Sequence, residues 1–276
     1  MLDHDEILQA IETIEPLSPT VTRLAELVAD PETDMDAVVA CVSHDPGMTL
    51  GLLRRANSAQ YGGRGQVGDV RSAVVRLGFG VVLEAAVRVG SRNVLDRSIP
   101  QYGFSERQFW RHCCAAAHAA EALRRSAGVP IAAVVATAAL LHDIGKLAIA
   151  QHISERQEEL LESAHALVGI MTAERDLFGL DHAEVGGLMA KRWRLPETIV
   201  QAITFHHDPG LVTDPITDVV HVADQIALMV CSDPDSGWQM TVETGSLERL
   251  GIDADDLGSL AEVSRGLLEL TETRPS

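Results

Sequence analysis

Two adjacent residues, His142 and Asp143, carry the clearest chemical signal in the sequence. They end an almost wholly apolar run that begins at Pro130. A buried imidazole beside a buried carboxylate is energetically costly unless another group pairs with them. A divalent metal ion satisfies both, because imidazole and carboxylate are good ligands for transition metals. An isolated His-Asp dipeptide, however, is more simply interpreted as the cap of a helix end, so the metal interpretation needs further residues.

Five further residues with metal-ligating side chains occur at helix ends or on apolar helices: His112, His182, His206, His207 and Asp224. Considered singly, His112 is interpreted as a core histidine and His182 as a surface residue. The His206-His207 pair could place positive charge at a helix C-terminus, where it interacts favourably with the helix dipole. An unpaired carboxylate at Asp224, after an apolar stretch, would be expensive. With His142 and Asp143 they make seven ligands, which suits two metal ions that share a bridging carboxylate.

The composition favours helices and excludes some partners. Hydrophobic residues make up 46% of the 276 residues and aromatic residues only 4%, so the core must consist of Ala, Leu and Val. Sheets prefer β-branched and aromatic residues, so we expect an all-α protein. The net charge of −18 argues against nonspecific nucleic-acid binding, which needs a basic face. A small anionic ligand held by a few local cations is still compatible with that charge.

Location is predicted from the cysteines and the apolar segments. The four cysteines have no CxxC spacing and resemble buried hydrophobes in a reducing compartment: Cys41, Cys113, Cys114 and Cys231. Acidic residues replace the basic start of a signal peptide. The longest apolar stretch, about 127–141, is too short to span a bilayer. We therefore expect a cytoplasmic protein with no membrane segment.

Helix-start signals recur along the chain and position the candidate ligands. They are Ser18-Pro19, Asp34, Asp45-Pro46, Asp69, the capping box Ser105–Gln108, the apolar run from Pro130, Asp181 and Pro196. A polar helix is expected near 154–162. Gly145 and Gly186 mark places where backbones approach closely. The break near 93–104 divides the chain into two helical lobes, residues 1–98 and 99–276.

The order His112, His142-Asp143, His182, His206-His207 and Asp224 resembles the HD-domain superfamily of metal-dependent phosphohydrolases. The stretch His142–Lys146 looks especially like the HD-GYP phosphodiesterases. The His206-His207-Asp208-Pro209 stretch, however, is not followed by their Gly-Tyr-Pro sequence.

The first lobe resembles the HDOD domain, the HD-related output domain. The resemblance covers about residues 7–230 and rests on Leu17-Ser18-Pro19, Ser43-His44-Asp45-Pro46, the block from Leu53 to Gly62, Ala73–Gly78 and Phe109-Trp110-Arg111-His112. It implies an N-terminal helical subdomain packed on an HD-type bundle. It also implies a setting in bacterial signal transduction.

Two functions follow from this resemblance. The first is a signalling module that retains an HD-type metal site and acts by binding a partner protein or an anionic small ligand, with Asn57 and Tyr61 as candidate partner-binding residues. Those two residues could instead simply end a helix. Arg54, Arg55, Arg64 and Arg71 are local cations that could meet an acidic partner or be solvated.

The second function is a metal-dependent phosphodiesterase or phosphohydrolase acting on a cyclic dinucleotide or nucleotide. One metal would be held by His112, His142, Asp143 and Asp224, and Asp143 would bridge to a second metal held by His182, His206 and His207. Asp143 and Lys146 would be the catalytic residues, with Lys146 neutralising a phosphate oxygen unless it is an exposed helix-end lysine. Iron, manganese, nickel or zinc, as one or two ions, suits such ligands. The missing Gly-Tyr-Pro loop favours the module.

Overall fold

The computed structural model describes residues 4–58, 60–61, 65–153, 167–232 and 240–272. Within these ranges every regular element is helical, and the single β-type contact is an isolated bridge between Ile99 and Phe104. The all-α prediction is therefore confirmed. Among the described residues, no helix combines the length and the apolar character needed to cross a bilayer.

Most of the first lobe's helices begin at the predicted capping residues. The helices are α1 (His4–Thr13), α2 (Pro19–Ala29), α3 (Met35–Ser43), α4 (Pro46–Ala56), α5 (Val70–Leu77) and α6 (Phe79–Leu95). The side chains of Ser18, Asp34, Asp45 and Asp69 each accept a hydrogen bond from the backbone N–H three residues later. These bonds satisfy donors that a helix N-terminus would otherwise leave unpaired.

The second lobe is built around one long central helix. Its helices are α7 (Gln108–Ser126), α8 (Val135–Leu141), α9 (Gly145–Ile149), α10 (Leu167–Phe178), α11 (His182–Arg192), α12 (Glu197–Thr204), α13 (Pro215–Cys231), α14 (Thr244–Leu250) and α15 (Leu257–Glu272). Helix α7 packs against α8, α13 and α15. Helix α14 is fastened to α13 by the Arg249 guanidinium, whose Nε lies 2.9 Å from Asp218 Oδ2.

Two predicted helix starts were wrong. Helix α7 begins at Gln108 because Arg107 has a left-handed backbone with φ of 66°, although Gln108 Oε1 accepts the Ser105 N–H at 2.8 Å as in a capping box. Helix α8 begins at Val135, so the segment from Pro130 is not helical at its start. The helix expected near 154–162 lies outside the described residues.

The two lobes meet along α6, which packs against α2 and α4 and also against α8. Its approach to the second lobe is close at Gly80, where an added Cβ would lie 2.5 Å from the Ala133 carbonyl oxygen. The division at residues 98 and 99 stays a prediction.

Candidate metal centre

The structure brings all seven predicted ligands together at the junctions of six helices. His112 lies on α7, His142 and Asp143 lie between α8 and α9, His182 begins α11, His206 and His207 follow α12, and Asp224 lies on α13. All are buried except His207, which is half-buried. The fold therefore collects these polar side chains at one place in its buried core.

The first group of ligand atoms surrounds His112. Its Nε2 lies 3.2 Å from His142 Nε2, 3.3 Å from Asp143 Oδ2 and 3.2 Å from Asp224 Oδ1. His142 Nε2 lies 3.4 Å from Asp143 Oδ2 and 3.2 Å from Asp224 Oδ1. Two imidazoles and two carboxylates thus face one point.

The second group uses the other oxygen of Asp143. Asp143 Oδ1 lies 3.3 Å from His182 Nε2 and 3.9 Å from His206 Nε2. The Nε2 atoms of His182 and His207 are 2.8 Å apart. Asp143 therefore presents one oxygen to each group, which is the arrangement of a bridging carboxylate.

The spacing and the unpaired atoms fit two divalent cations. Metal–ligand bonds of about 2.1 Å place neighbouring ligand atoms roughly 3 to 4 Å apart. The ligand atoms of His112, His142 and Asp143 all lie within 4.8 Å of one another, as do those of Asp143, His182, His206 and His207. Asp143 Oδ1 and His206 Nε2 are buried and have no hydrogen-bond partner among the described residues. Such atoms are expensive to leave unsatisfied, and a cation would satisfy both.

The pKa values of four of the ligands suit metal binding, and those of two others oppose it. Burial alone would raise the pKa of Asp143, but His142 and Lys146 hold it well below its usual range. The pKa of Asp224 is likewise held low, against burial, by hydrogen bonds from His112 and His142. Burial and neighbouring histidines lower the pKa values of His206 and His207 well below 6.5. Burial alone would lower the pKa values of His112 and His182, but neighbouring carboxylates raise both, to about 9 for His182. Ionised carboxylates and neutral imidazoles are the forms that bind metal, so a cation would have to displace a proton from these two rings.

A family model for the HDOD domain matches residues 14–209. The chain belongs to the HDOD domain family. The sequence-based resemblance is thereby confirmed.

Relatives of this HDOD chain share its fold at low sequence identity. An HDOD domain protein of unknown function from Geobacter sulfurreducens is 24% identical and superposes with a TM-score of 0.70 over 98% of this chain and 96% of its own. A Shewanella amazonensis protein provisionally assigned as a phosphohydrolase is 24% identical, with a TM-score of 0.69 over 97% of each chain. An uncharacterised protein from Treponema pallidum is 26% identical over 212 residues, which are 73% of this chain but only 39% of that protein.

Two residues outside the predicted set orient a ligand of the HDOD centre. The Glu174 carboxylate accepts hydrogen bonds from both the His182 backbone N–H and His182 Nδ1, each at 2.8 Å. It also accepts one from the Tyr102 hydroxyl at 2.6 Å. This fixes the His182 ring with Nε2 towards Asp143. No periodic pattern in the sequence predicts this contact, because Glu174 and Tyr102 come from separate segments.

Backbone carbonyls orient two other imidazoles. His142 Nδ1 lies 2.7 Å from the Ala139 carbonyl oxygen, and His206 Nδ1 lies 2.7 Å from that of Ile203. A ring that donates from Nδ1 presents its Nε2 lone pair to the centre.

Lys146 is part of the centre and not an exposed helix-end lysine. Its side chain is 9% exposed, and Nζ lies 2.6 Å from Asp143 Oδ2. Nζ also lies 5.7 Å from the centroid of the Tyr102 ring and 5.8 Å from that of Phe104. Phe104 in turn contacts His112, with ring centroids 5.6 Å apart. We call Tyr102 and Phe104 the aromatic cover.

Gly145 and Gly186 hold α9 and α11 in contact beside the ligands, as predicted. An added Cβ at Gly145 would lie 1.9 Å from the His182 carbonyl oxygen, and one at Gly186 would lie 2.9 Å from Ile203 Cγ2. Small residues here let Asp143 and His182 lie on neighbouring helix ends.

The predicted partner-binding residues lie outside the metal centre. The Asn57 side-chain amide donates to the Val67 carbonyl and its oxygen accepts the Val67 N–H, both at 2.8 Å, so it closes the loop after α4. Tyr61 is half-buried, and the Arg55 guanidinium lies 5.2 Å from the centroid of its ring. Both residues therefore have structural roles, and partner binding stays a prediction. Of the other cations, Arg71 pairs with Asp36, and Arg64 lies outside the described residues.

Proposed function

We propose that this HDOD chain is a regulatory module of bacterial signal transduction that acts by binding and not by turnover. Its second lobe holds two divalent cations as a fixed centre that stabilises the lobe. The observation that carries the proposal is the burial of six of the seven ligands, with the aromatic cover beside Lys146 and His112.

This burial matters because hydrolysis requires a substrate phosphate to reach the cations. Six of the seven ligands are buried, and the nearest cation of the protein, Lys146, is itself paired with Asp143. The Tyr102 hydroxyl is tied to Glu174, which holds the cover in place. The Gly-Tyr-Pro loop of the hydrolytic relatives is also absent after Pro209. These features support a structural centre.

Metal analysis followed by a hydrolysis assay tests the proposal. We expect the purified protein to contain up to two divalent ions per chain and to show no metal-dependent hydrolysis of bis(p-nitrophenyl) phosphate or a cyclic dinucleotide. Asp143→Ala should lose most of the metal, because the shared carboxylate would no longer neutralise both cations. A partner-binding surface on residues 1–95 should stay largely intact in this variant. Metal-dependent turnover that disappears in Asp143→Ala would overturn the module.

The second candidate is a metal-dependent phosphohydrolase, and the position of Lys146 favours it. A pair of divalent cations can activate a water molecule and stabilise charge on a phosphoryl group. Lys146 would then leave Asp143 to neutralise a phosphate oxygen. The provisional assignment of the Shewanella relative as a phosphohydrolase agrees with this candidate. For such an enzyme, Lys146→Ala should lower turnover while metal stays bound.

A further inference from the structure

A second concave site lies apart from the metal centre. It has a volume of about 1080 Å³ and is bounded by α4, α6, the start of α7 and the end of α15, and none of the seven ligands lines it. Among the described residues, five arginines line it, against two acidic residues: Arg54, Arg55, Arg88, Arg92 and Arg107, with Asp96 and Glu106. We call this site the arginine cleft. Such a local excess of positive charge stands out in a chain of net charge −18.

The floor of the arginine cleft has more buried cationic donors than acceptors. Arg88 is 9% exposed and donates to Glu84 through Nη2, while its Nε and Nη1 have no partner among the described residues. Arg55 Nη2 lies 3.6 Å from the other oxygen of Glu84, and its buried Nε is also unpartnered within the described part of the chain. Two guanidinium groups thus share one carboxylate, which leaves the floor with one uncompensated positive charge.

Two neutral donors add to the floor. Ser58 Oγ and Trp110 Nε1 are buried, line the same cleft and make no hydrogen bond to any described residue. Buried donors in native proteins are nearly always paired, so an unpaired group calls for a specific partner. Here five such atoms belong to four residues around one cavity.

The mouth of the cleft is apolar. Leu50 and Val89 line it and are 50% and 55% exposed, respectively. Large exposed aliphatic side chains beside a cationic floor suit a ligand that is charged at one end and uncharged at the other.

We propose that the arginine cleft binds a phosphate-bearing small molecule of nucleotide size. The phosphate contacts Arg55, Arg88 and Trp110, and the uncharged part lies against Leu50 and Val89. A phosphate is favoured because its several oxygens can accept from diverging donors, and guanidinium groups match it in a bidentate manner. The cleft volume lies at the upper end of small-molecule sites. The inference rests on the proposed function only in treating the chain as a binding module.

The test is calorimetric titration of the metal-loaded full chain with ATP, with pyrophosphate as the anion alone and with adenosine as the uncharged part alone. We expect ATP to bind, pyrophosphate to bind more weakly and adenosine to bind weakest. Trp110→Phe should weaken ATP binding by about tenfold, because the ring is kept while the indole donor is lost. Arg54→Gln, at the exposed edge, should weaken it by about threefold.

A matched variant and a second readout keep this test decisive. Arg23→Gln removes the same charge from an exposed arginine on α2 that does not line the cleft, and it should bind ATP like the wild type. Asp143→Ala should lose metal and still bind ATP, which separates this site from the metal centre. If Trp110→Phe misfolds by circular dichroism, Ser58→Ala replaces it as the donor variant. Equal ATP affinity in Arg54→Gln and Arg23→Gln, no binding of ATP or pyrophosphate, or tighter binding of a hexaglutamate peptide would overturn the proposal.

Discussion

At the residue scale, the Asp143 carboxylate is the group on which the candidate centre depends. Each of its oxygens faces one set of imidazoles, and Lys146 is its only charged partner that is not a predicted ligand among the ion pairs of the described residues. A single side chain thereby links five helices. The geometry makes the two halves of the centre unequal, because only the His182 half is oriented by a second carboxylate, Glu174.

Replacing Glu174 should therefore affect one half of the centre. We expect Glu174→Gln to weaken metal binding at the His182 half by about 10- to 100-fold, because the partner that orients and polarises the ring loses its charge. The affinity of the His112 half should change little. Competition with a chromophoric chelator measures the two steps. Glu184→Gln is the control, since Glu184 accepts from the Asp181 N–H and contacts no predicted ligand; equal effects of both changes would contradict the role of Glu174.

His118 gives the stability of the protein a specific pH dependence. Burial, with Arg88 and Arg55 nearby, lowers the pKa of this α7 histidine well below 6.5. Below pH 6.5 the His118 imidazole therefore binds a proton in the unfolded chain but stays neutral in the native state. The unfolding free energy is therefore unaffected by His118 above pH 6.5 and falls as the pH drops below that value.

We expect His118→Gln to remove this dependence. Between pH 7.5 and 5.5, the wild type should lose about 1.4 kcal/mol more unfolding free energy than the variant, which corresponds to one pH unit below the unfolded pKa. Urea denaturation at the two pH values measures the difference. Parallel losses in both proteins would show that His118 is protonated in the native state.

At the element scale, the contact between α9 and α11 determines whether the ligands meet. Gly145→Ala would place a methyl group against the His182 carbonyl oxygen, so the helices must separate. We expect a loss of about 3 kcal/mol or more in unfolding free energy, with reduced metal content. Gly266→Ala on α15, where an added Cβ meets no atom within 4 Å, should instead stabilise the protein by about 1 kcal/mol. Chemical denaturation with metal analysis distinguishes the two, and a neutral Gly145→Ala would exclude the close approach.

Side-chain caps close in sequence explain which helix starts could be predicted. Helix starts at Ser18, Asp34, Asp45 and Asp69 were predictable, because a side-chain cap is encoded within four residues. The start of α7 was not, because the left-handed conformation of Arg107 has no signal in residue type.

The centre was predictable to the same limited extent. The ligands were identified because their order matches a family pattern. Glu174 and Tyr102 were missed because their contact joins residues 72 positions apart. Tertiary packing of this kind is absent from any local pattern.

At the scale of the whole molecule, the metal centre couples helices that are distant in sequence. Cations that bind only the folded state add stability in proportion to the logarithm of their concentration over Kd. For each ion at 1,000 times Kd this amounts to about 4 kcal/mol. In a chain of this size, that corresponds to a change of about 10 °C in Tm.

Chelation should therefore lower the Tm of the wild type by about 10 °C for each ion removed, and restoring Mn²⁺ or Zn²⁺ should reverse the change. Asp143→Ala should have a low Tm that the chelator does not alter. Differential scanning calorimetry measures the Tm of each sample. An unchanged wild-type Tm after verified metal removal would show that the centre contributes nothing to folding.

Burial of the ligands beside the aromatic cover would affect how a bound metal ion exchanges with the medium. Six of the seven ligands are buried, so a cation bound by them would leave only through local opening of the protein, and its exchange with the medium would be slow. At equilibrium, a site of nitrogen and oxygen ligands would favour the metals at the tight-binding end of the Irving–Williams order. A cation enclosed during folding escapes that competition. The identity of the bound ion would then depend on which metals were available when the chain folded.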